Sequence, residues 1–201
     1  MGIRQKIIET YKELRPLARY ELLDIIHSMK GEHAERDQAL VAFLYLTGCR
    51  IEEVCKYIVP NKNGLNIYKG FPIQKKQVTS REGVVIIQNV RCLKRKKELR
   101  RNIPIIINDL DNKFLSLLLN YVLKLQDEDY LFNIGRVRAY QILSKVGLFP
   151  HYLRHIRLTH LVTDYGFSDA HLKQFTGWSD GRPASVYTHL NVENLIKQMK
   201  G

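Results

Sequence analysis

Two segments of the chain place an arginine at helical spacing from another ionisable side chain. In TGCRIEEV, residues 47–54, Arg50 stands three positions before Glu53. This is the spacing of a helical ion pair, which contributes only about 0.2–0.5 kcal/mol at a surface, so the segment alone indicates nothing more than a solvated helix. In HYLRH, residues 151–155, His151 and Arg154 are also three apart, so a helix presents both side chains on one face.

Metal binding is one alternative for the histidines of the second segment. His151 and His155 are four residues apart, as in zinc proteases, but Tyr152 occupies the position where those enzymes need a glutamate. The three cysteines are odd in number and match no metal-binding spacing; they are Cys49, Cys55 and Cys92. We therefore expect no metal ion and no cofactor, and we interpret the cysteines as free thiols of a reducing cytoplasm.

Basic residues are concentrated in the middle of the chain. The chain has 32 Lys and Arg against 20 Asp and Glu, a formal charge of +12. Residues 62–101 hold twelve of the basic residues and only two acidic ones, so they carry +10 of that charge. Such concentration favours a polyanionic partner, most often nucleic acid, held through its phosphates. A membrane is not expected as a partner, because the basic residues interleave with strand-like runs and do not line an amphipathic helix.

Helical periodicity covers most of the chain and must position these residues. Apolar side chains recur at helical spacing in residues 3–14, 18–29, 34–48, 51–59, 109–125, 136–147, 151–166, 169–177 and 191–201. Between them, β-branched runs at 64–68, 83–91 and 102–107 predict a small antiparallel sheet of three strands, with 94–99 as the tip joining the last two. The predicted class is α+β, a mainly helical domain with a small three-stranded antiparallel sheet.

Four short segments, taken in order, resemble the catalytic domain of the tyrosine recombinases, the family of phage integrases and Xer-like resolvases. They are TGCRIEEV at 47–54, HYLRH at 151–155, TGW at 176–178 and VYTHL at 186–190. Any one of them is weak, but four in the right order and spacing are specific. The resemblance implies a catalytic domain at 17–201 after a helix or linker at 1–16, without the separate helical core-binding domain that integrases generally carry before it.

The resemblance also implies the chemistry of a site-specific DNA recombinase or integrase. Tyr187 would attack a DNA phosphate and form a 3′-phosphotyrosyl bond, without a metal. Arg50 and Arg154 would clamp the phosphate oxygens, because planar guanidiniums bind phosphate in a bidentate manner. His151 would take the tyrosine proton or orient the phosphate. Trp178 stands where the family often has histidine, and its indole N–H donates a hydrogen bond but accepts no proton.

The general acid and the DNA contacts are expected on the basic tip of the sheet. The family carries a lysine there that protonates the leaving 5′-oxygen, and counting back from the following strand selects Lys96, whereas counting from the preceding strand selects Lys94. We favour Lys96 and leave Lys94 open. The remaining basic side chains are predicted to contact DNA; with Lys94 they are Arg95, Lys97, Arg100 and Arg101. Glu53 is predicted to brace Arg50 or its helix.

The resemblance implies double-stranded DNA as the partner and a homo-oligomer on that DNA, a tetrameric synapse, in the cytoplasm. The tail after Tyr187 is equally compatible with packing on its own domain or on a neighbouring protomer. His155, His160 and His189 are interpreted as structural or hydrogen-bonding residues. Two other functions stay open: a catalytically silent DNA-binding module of the same fold, and a relative of the type IB topoisomerases or telomere resolvases.

Overall fold

The computed structural model of the protein describes residues 14–60, 66–70, 72–93 and 98–178, together with Ala184 and Tyr187. Its α-helices are α1 (Arg19–Ser28), α2 (Ala34–Thr47), α3 (Ile51–Val54), α4 (Asn112–Val122), α5 (Arg136–Ser144), α6 (Pro150–Thr163) and α7 (Asp169–Thr176). Its strands are β1 (Tyr57–Pro60), β2 (Asn66–Lys69), β3 (Val78–Arg81), β4 (Val84–Arg91) and β5 (Arg100–Ile106). The predicted helices at 3–14 and 191–201 lie outside the described residues.

The centre of the fold is α2, whose last nine residues are all buried. It packs against α4 and α6, so its apolar side chains are covered on all sides. The helix ends at Gly48, which has φ +56° and the left-handed conformation that glycine adopts at helix ends. Gly48 lies beside α6, where an added Cβ would be 3.8 Å from Arg157 Cγ and 4.0 Å from Arg154 Cγ, and Arg50 caps the start of α3 two residues later.

Within the described residues, the strands form two sheets. Strands β3, β4 and β5 make a three-stranded antiparallel sheet, and β1 pairs with β2 in a separate antiparallel hairpin. The predicted class, mainly helical with a small three-stranded antiparallel sheet, is therefore confirmed.

Two details of the prediction are wrong. The helix predicted over 51–59 ends at Val54, because the backbone of 57–60 forms a ladder with 66–69, in keeping with the β-branched pair Ile58 and Val59. The run at 64–68 pairs with that strand and does not belong to the larger sheet, whose first strand is β3. Strand β3 is joined to β4 by the two-residue turn Glu82-Gly83, whose φ angles are +48° and +76°. Glu-Gly is a weaker sequence signal for a hairpin than Asn-Gly.

A buried polar cluster fixes α6 against the other helices. Asp111 accepts hydrogen bonds from Arg157, from Tyr165 and, at 3.1 Å, from Arg19. Burial opposes ionisation of Asp111, but the charge and hydrogen bonds of Arg157 outweigh it and lower the pKa of the carboxyl. The cluster thus holds the helix that carries Arg154 in a fixed rotation.

Candidate active site

Glu53 connects the segment of Arg50 to the sheet. Its side chain is buried, and its oxygens accept from the Arg50 backbone N–H at 3.0 Å, Arg50 Nη1 at 3.2 Å and Arg101 Nη2 at 3.0 Å. The Leu93 N–H donates to the same carboxylate at 3.4 Å. Burial alone would raise the pKa of Glu53, but Arg101 outweighs it and lowers the pKa, so the carboxylate stays charged beneath Arg50.

Arg154 lies at the bottom of the site. It is 6% exposed, donates to the Gly48 carbonyl and places its guanidinium carbon 5.2 Å from the Trp178 ring centroid. Burial, and after it repulsion from Arg50, lower the pKa of Arg154 to about 10, so the guanidinium is still charged at neutral pH. Its Nη2 is buried and has no hydrogen-bond partner among the described residues. A buried donor of this kind requires an acceptor, which an anion bound between Arg50 and Arg154 would supply.

Trp178 is positioned by the end of α7. Gly177 ends the helix with φ +70°, and the Trp178 N–H donates to the Lys173 carbonyl at 3.1 Å. A Cβ on Gly177 would lie 2.5 Å from Cys92 Sγ and 3.4 Å from Arg101 Cδ. Only glycine therefore allows this turn to approach the sheet so closely.

Tyr187 lies against Trp178 and close to Arg154 of its own chain. Its ring centroid is 6.4 Å from that of Trp178, with the ring planes at 21°. Burial raises the pKa of Tyr187, and the nearby charge of Arg154 opposes this increase. The structure thus brings Arg154, Trp178 and Tyr187 together, with Arg50 next to Arg154.

The histidine whose ring packs on Tyr187 is His155. The two centroids are 5.6 Å apart at an interplanar angle of 43°. His151 stands at the second position of α6, one turn before His155, and its side chain is exposed. His155 was interpreted from the sequence as structural or hydrogen-bonding, and its spacing of four residues from His151 places both on one helix face. His160 fits the structural interpretation, since its Nδ1 lies 2.9 Å from the buried Tyr45 hydroxyl.

The predicted general acid, Lys96, and the predicted DNA contacts separate into three groups. Lys94, Arg95, Lys96 and Lys97 lie outside the described residues. Arg100 is half exposed and pairs with Glu98 at 2.7 Å, so its guanidinium is at the surface. Arg101 is only 8% exposed and ion-paired with Glu53, so it faces the core and supports the site from beneath. Arg101 lies on the same face of β5 as buried Ile103 and Ile105, because every second residue of a strand points to the same side of the sheet. This spacing is the sequence signal for the burial of Arg101.

An open groove of about 420 Å³ lies beside Trp178, between the start of β5 and α7. Arg100 and Lys173 make it basic, and Leu99, Gln174 and Gly177 complete its lining with Arg101, Ala170 and Trp178. Within the described part of the chain, no three His, Cys, Asp or Glu side chains gather where they could hold a metal ion. No helix in that part is both long and apolar enough to cross a membrane.

Comparison with known proteins finds relatives of similar sequence and fold. Tyrosine recombinase XerC of Thermodesulfovibrio yellowstonii is 23% identical over 208 residues, which cover 96% of this chain and 64% of that protein. The XerA recombinase structure matches with a TM-score of 0.61 at 22% identity, over 94% of this chain and 66% of that one. The XerH recombinase, in a post-cleavage complex with its palindromic difH substrate, matches with a TM-score of 0.60 at 16% identity, over 91% and 52%. The chain thus spans about half to two thirds of these relatives.

The catalytic domain of bacteriophage HP1 integrase matches nearly end to end. The alignment covers 92% of this chain and 95% of that domain, with a TM-score of 0.52 at 19% identity. The sequence model of the phage integrase family matches residues 15–194, which contain all four segments identified above. The chain therefore belongs to the phage integrase family and contains its tyrosine recombinase catalytic domain.

Proposed function

We propose that this chain is the catalytic part of a site-specific DNA recombinase or integrase that cuts and rejoins DNA through Tyr187. The phenol oxygen attacks a scissile phosphate, the bond to the 5′-oxygen breaks, and a 3′-phosphotyrosyl link forms. The phenolic proton goes to a base at the site, and the leaving 5′-oxygen receives a proton from an acid. The energy of the broken phosphoester bond is retained in the phosphotyrosyl bond. A 5′-hydroxyl of another strand can therefore reverse the attack without ATP.

One observation carries this proposal: Tyr187 lies beside a buried arginine whose Nη2 is unsatisfied among the described residues. Arg154 and Arg50 are both held in place by backbone or carboxylate contacts, so their charges are already oriented toward a phosphate. Such preorganised donors stabilise charge that develops in a transition state, and each typically contributes about 3 to 4 kcal/mol. Two arginines in this arrangement perform the task for which other phosphoryl-transfer enzymes use metal ions.

The proton transfers are assigned to residues around this centre. Burial raises the pKa of Tyr187, so the phenol is protonated at neutral pH and needs a base as it attacks. His151 is proposed as the base or as a phosphate ligand, and Lys96 as the acid at the leaving oxygen, with Lys94 the alternative. Trp178 donates its indole N–H to a phosphate oxygen.

Double-stranded DNA is proposed as the partner. Two structural relatives, XerH and the Tn1549 transposon integrase, were solved as DNA complexes, and the groove beside Trp178 carries exposed basic side chains suited to a phosphate backbone. We propose that residues 17–201 act as the catalytic unit, that several copies assemble on DNA as a tetrameric synapse, and that the protein works on cytoplasmic DNA.

The proposal is tested with DNA sites that the protein selects from a random pool by binding. Each site is then nicked beside the scissile phosphate, so that the short cleaved strand diffuses away and the protein stays covalently bound to the DNA. A covalent adduct that forms in EDTA supports the enzyme, whereas binding without an adduct indicates a silent DNA-binding module. Transfer of strands between two duplexes then indicates a recombinase. Relaxation of supercoiled DNA without strand transfer indicates a topoisomerase instead.

A further inference from the structure

His155 lies beside Leu14 on one side and packs on Tyr187 on the other. The backbone of Leu14 favours the charged form of the His155 imidazole, and the ring lies 5.6 Å from the Tyr187 ring. Burial lowers the pKa of His155, and the Leu14 backbone opposes this decrease. The ring is therefore part-buried between the Leu14 segment and Tyr187, which limits the orientations it can adopt beside the phenol.

The Leu14 segment beside His155 is itself tied to α6 and α1. The Tyr152 hydroxyl, one turn earlier on α6, donates to the Arg15 carbonyl at 2.7 Å. Arg15 forms a two-pronged pair with Glu21 at 2.7 and 2.9 Å, and Glu21 also accepts from the Ala18 N–H at 2.7 Å. Residues 14–18 are thus fixed on the helix face that supports Tyr187.

We propose that His155 is a positioning residue for the nucleophile, which holds the Tyr187 ring through the packing of the two rings. The inference rests on the proposed function of Tyr187, since positioning matters only if that phenol attacks. His155 lies next in sequence to Arg154, so one helical turn carries both the phosphate ligand and the support for the attacking ring. The segment at 14–15 thereby becomes part of the active site's support, because His155 lies between it and Tyr187.

The experiment compares single-turnover cleavage by wild type and three variants on nicked DNA. His155→Ala removes the ring, His155→Phe keeps the ring contact, and Tyr152→Phe removes only the hydroxyl that fixes Arg15. His155→Ala is expected to slow adduct formation on the order of 10²-fold with an unchanged Kd for DNA, as a misplaced nucleophile would. His155→Phe recovers part of the rate, and Tyr152→Phe causes a smaller loss. His27→Gln, an exposed histidine on α1, is the matched control and cleaves as wild type does.

A second substrate separates positioning from leaving-group chemistry. DNA with sulfur in place of the scissile 5′-oxygen releases a thiolate, which needs little protonation because thiols have a pKa of about 8.5. His155→Ala remains slow on this DNA if it misplaces Tyr187. Rescue by sulfur, a wild-type rate with ordinary DNA, or a loss confined to Kd would each overturn the proposal.

The contact is also tested without any cleavage. Trp178 is the only tryptophan in the chain and packs on Tyr187, so its fluorescence reports on that ring. His155→Ala and Tyr187→Ala are expected to shift the emission in the same direction, and an unchanged spectrum in His155→Ala overturns the inference. If wild type forms no adduct at all, the proposed function fails, and the fluorescence result still decides whether His155 holds Tyr187.

Discussion

Glu53 Oε2 lies 3.0 Å from Arg101 Nη2, and both side chains are buried. The same carboxylate holds the backbone and guanidinium of Arg50, so a single buried charge joins the sheet to the first arginine of the active site. Arg101 also contacts two thiols, with Nη1 at 3.2 Å from Cys92 Sγ and Nη2 at 3.7 Å from Cys49 Sγ. The pair is therefore a support of the site, and it has measurable consequences for stability and activity.

Glu53→Gln should leave the Arg101 charge without its counterion. Removing one partner of a buried ion pair typically costs about 3–5 kcal/mol, so the free energy of unfolding by urea should fall by about that amount. Glu52→Gln is the control, because Glu52 pairs with Arg136 at a part-exposed position and such a pair contributes about 1 kcal/mol or less. Equal losses in the two variants would show that Glu53 is not the buried hub described here.

Gly177→Ala should disturb the turn that places Trp178. The new Cβ would lie 2.5 Å from Cys92 Sγ, and φ +70° is a strained conformation for alanine. We expect lower thermal stability and slower adduct formation. Cys92→Ala in the same chain removes the sulfur that clashes and should restore part of both, measured as a double-mutant cycle. Simple additivity of the two substitutions would argue against the close approach.

Arg154→Lys should retain charge but lose the planar pair of donors. One donor reaches the Gly48 carbonyl and another is free for a phosphate oxygen, a geometry that an ammonium group does not reproduce. We expect adduct formation to slow by about 10²–10³-fold, as for a lost oxyanion donor. Arg36→Lys, at a part-buried pair with Asp37 outside the site, is the control and should cleave normally. A wild-type cleavage rate in Arg154→Lys would exclude the proposed phosphate clamp.

His160 should make stability depend on pH. Burial, and after it the charge of Arg19, lower the pKa of His160 from 6.5 to about 4. The unfolded chain therefore binds a proton more readily, so stability present above pH 6.5 is lost as the pH falls toward 4. The full loss from this group is about 3 kcal/mol, because each pKa unit corresponds to about 1.4 kcal/mol.

The measurement is urea unfolding of wild type and His160→Gln between pH 7 and pH 4. Wild type should lose stability more steeply than the variant over this interval. The lowered pKa values of Glu53 and Asp111 cause a further loss of stability at acid pH, which is the same in wild type and in His160→Gln. The difference between the two stability curves therefore isolates His160. Parallel curves would contradict the assignment.

The sequence predicted the helices that carry the site better than it predicted the sheet. Apolar periodicity located α2 and α6 because their buried faces are formed by consecutive helical turns. Strand β3 was missed because VTSR is short and half polar, and its place in the sheet depends on pairing with β4. Periodicity within one segment does not specify with which strand that segment will pair.

Site residues were predicted by type and order, but of the residues that support them only Glu53 was predicted. Arg154 and Trp178 lie together in the fold, and Tyr187 lies with them in its own chain. Arg101 was assigned to the DNA surface because it belongs to a basic run, although its burial is set by the alternation of β5. The contact of His155 with Tyr187 was not predicted, because the two residues are 32 positions apart and only the fold brings their rings together.

The central claim is that the Tyr187 oxygen becomes joined to a DNA phosphate. It is tested by trapping the protein on nicked DNA in EDTA, digesting the adduct and locating the nucleotide-bearing peptide by mass spectrometry, with Tyr187→Phe in parallel. The account predicts a 3′-phosphotyrosyl nucleotide on Tyr187 in wild type and no adduct in Tyr187→Phe, which should still bind the DNA. An adduct on another residue, or an adduct that persists in Tyr187→Phe, would contradict it.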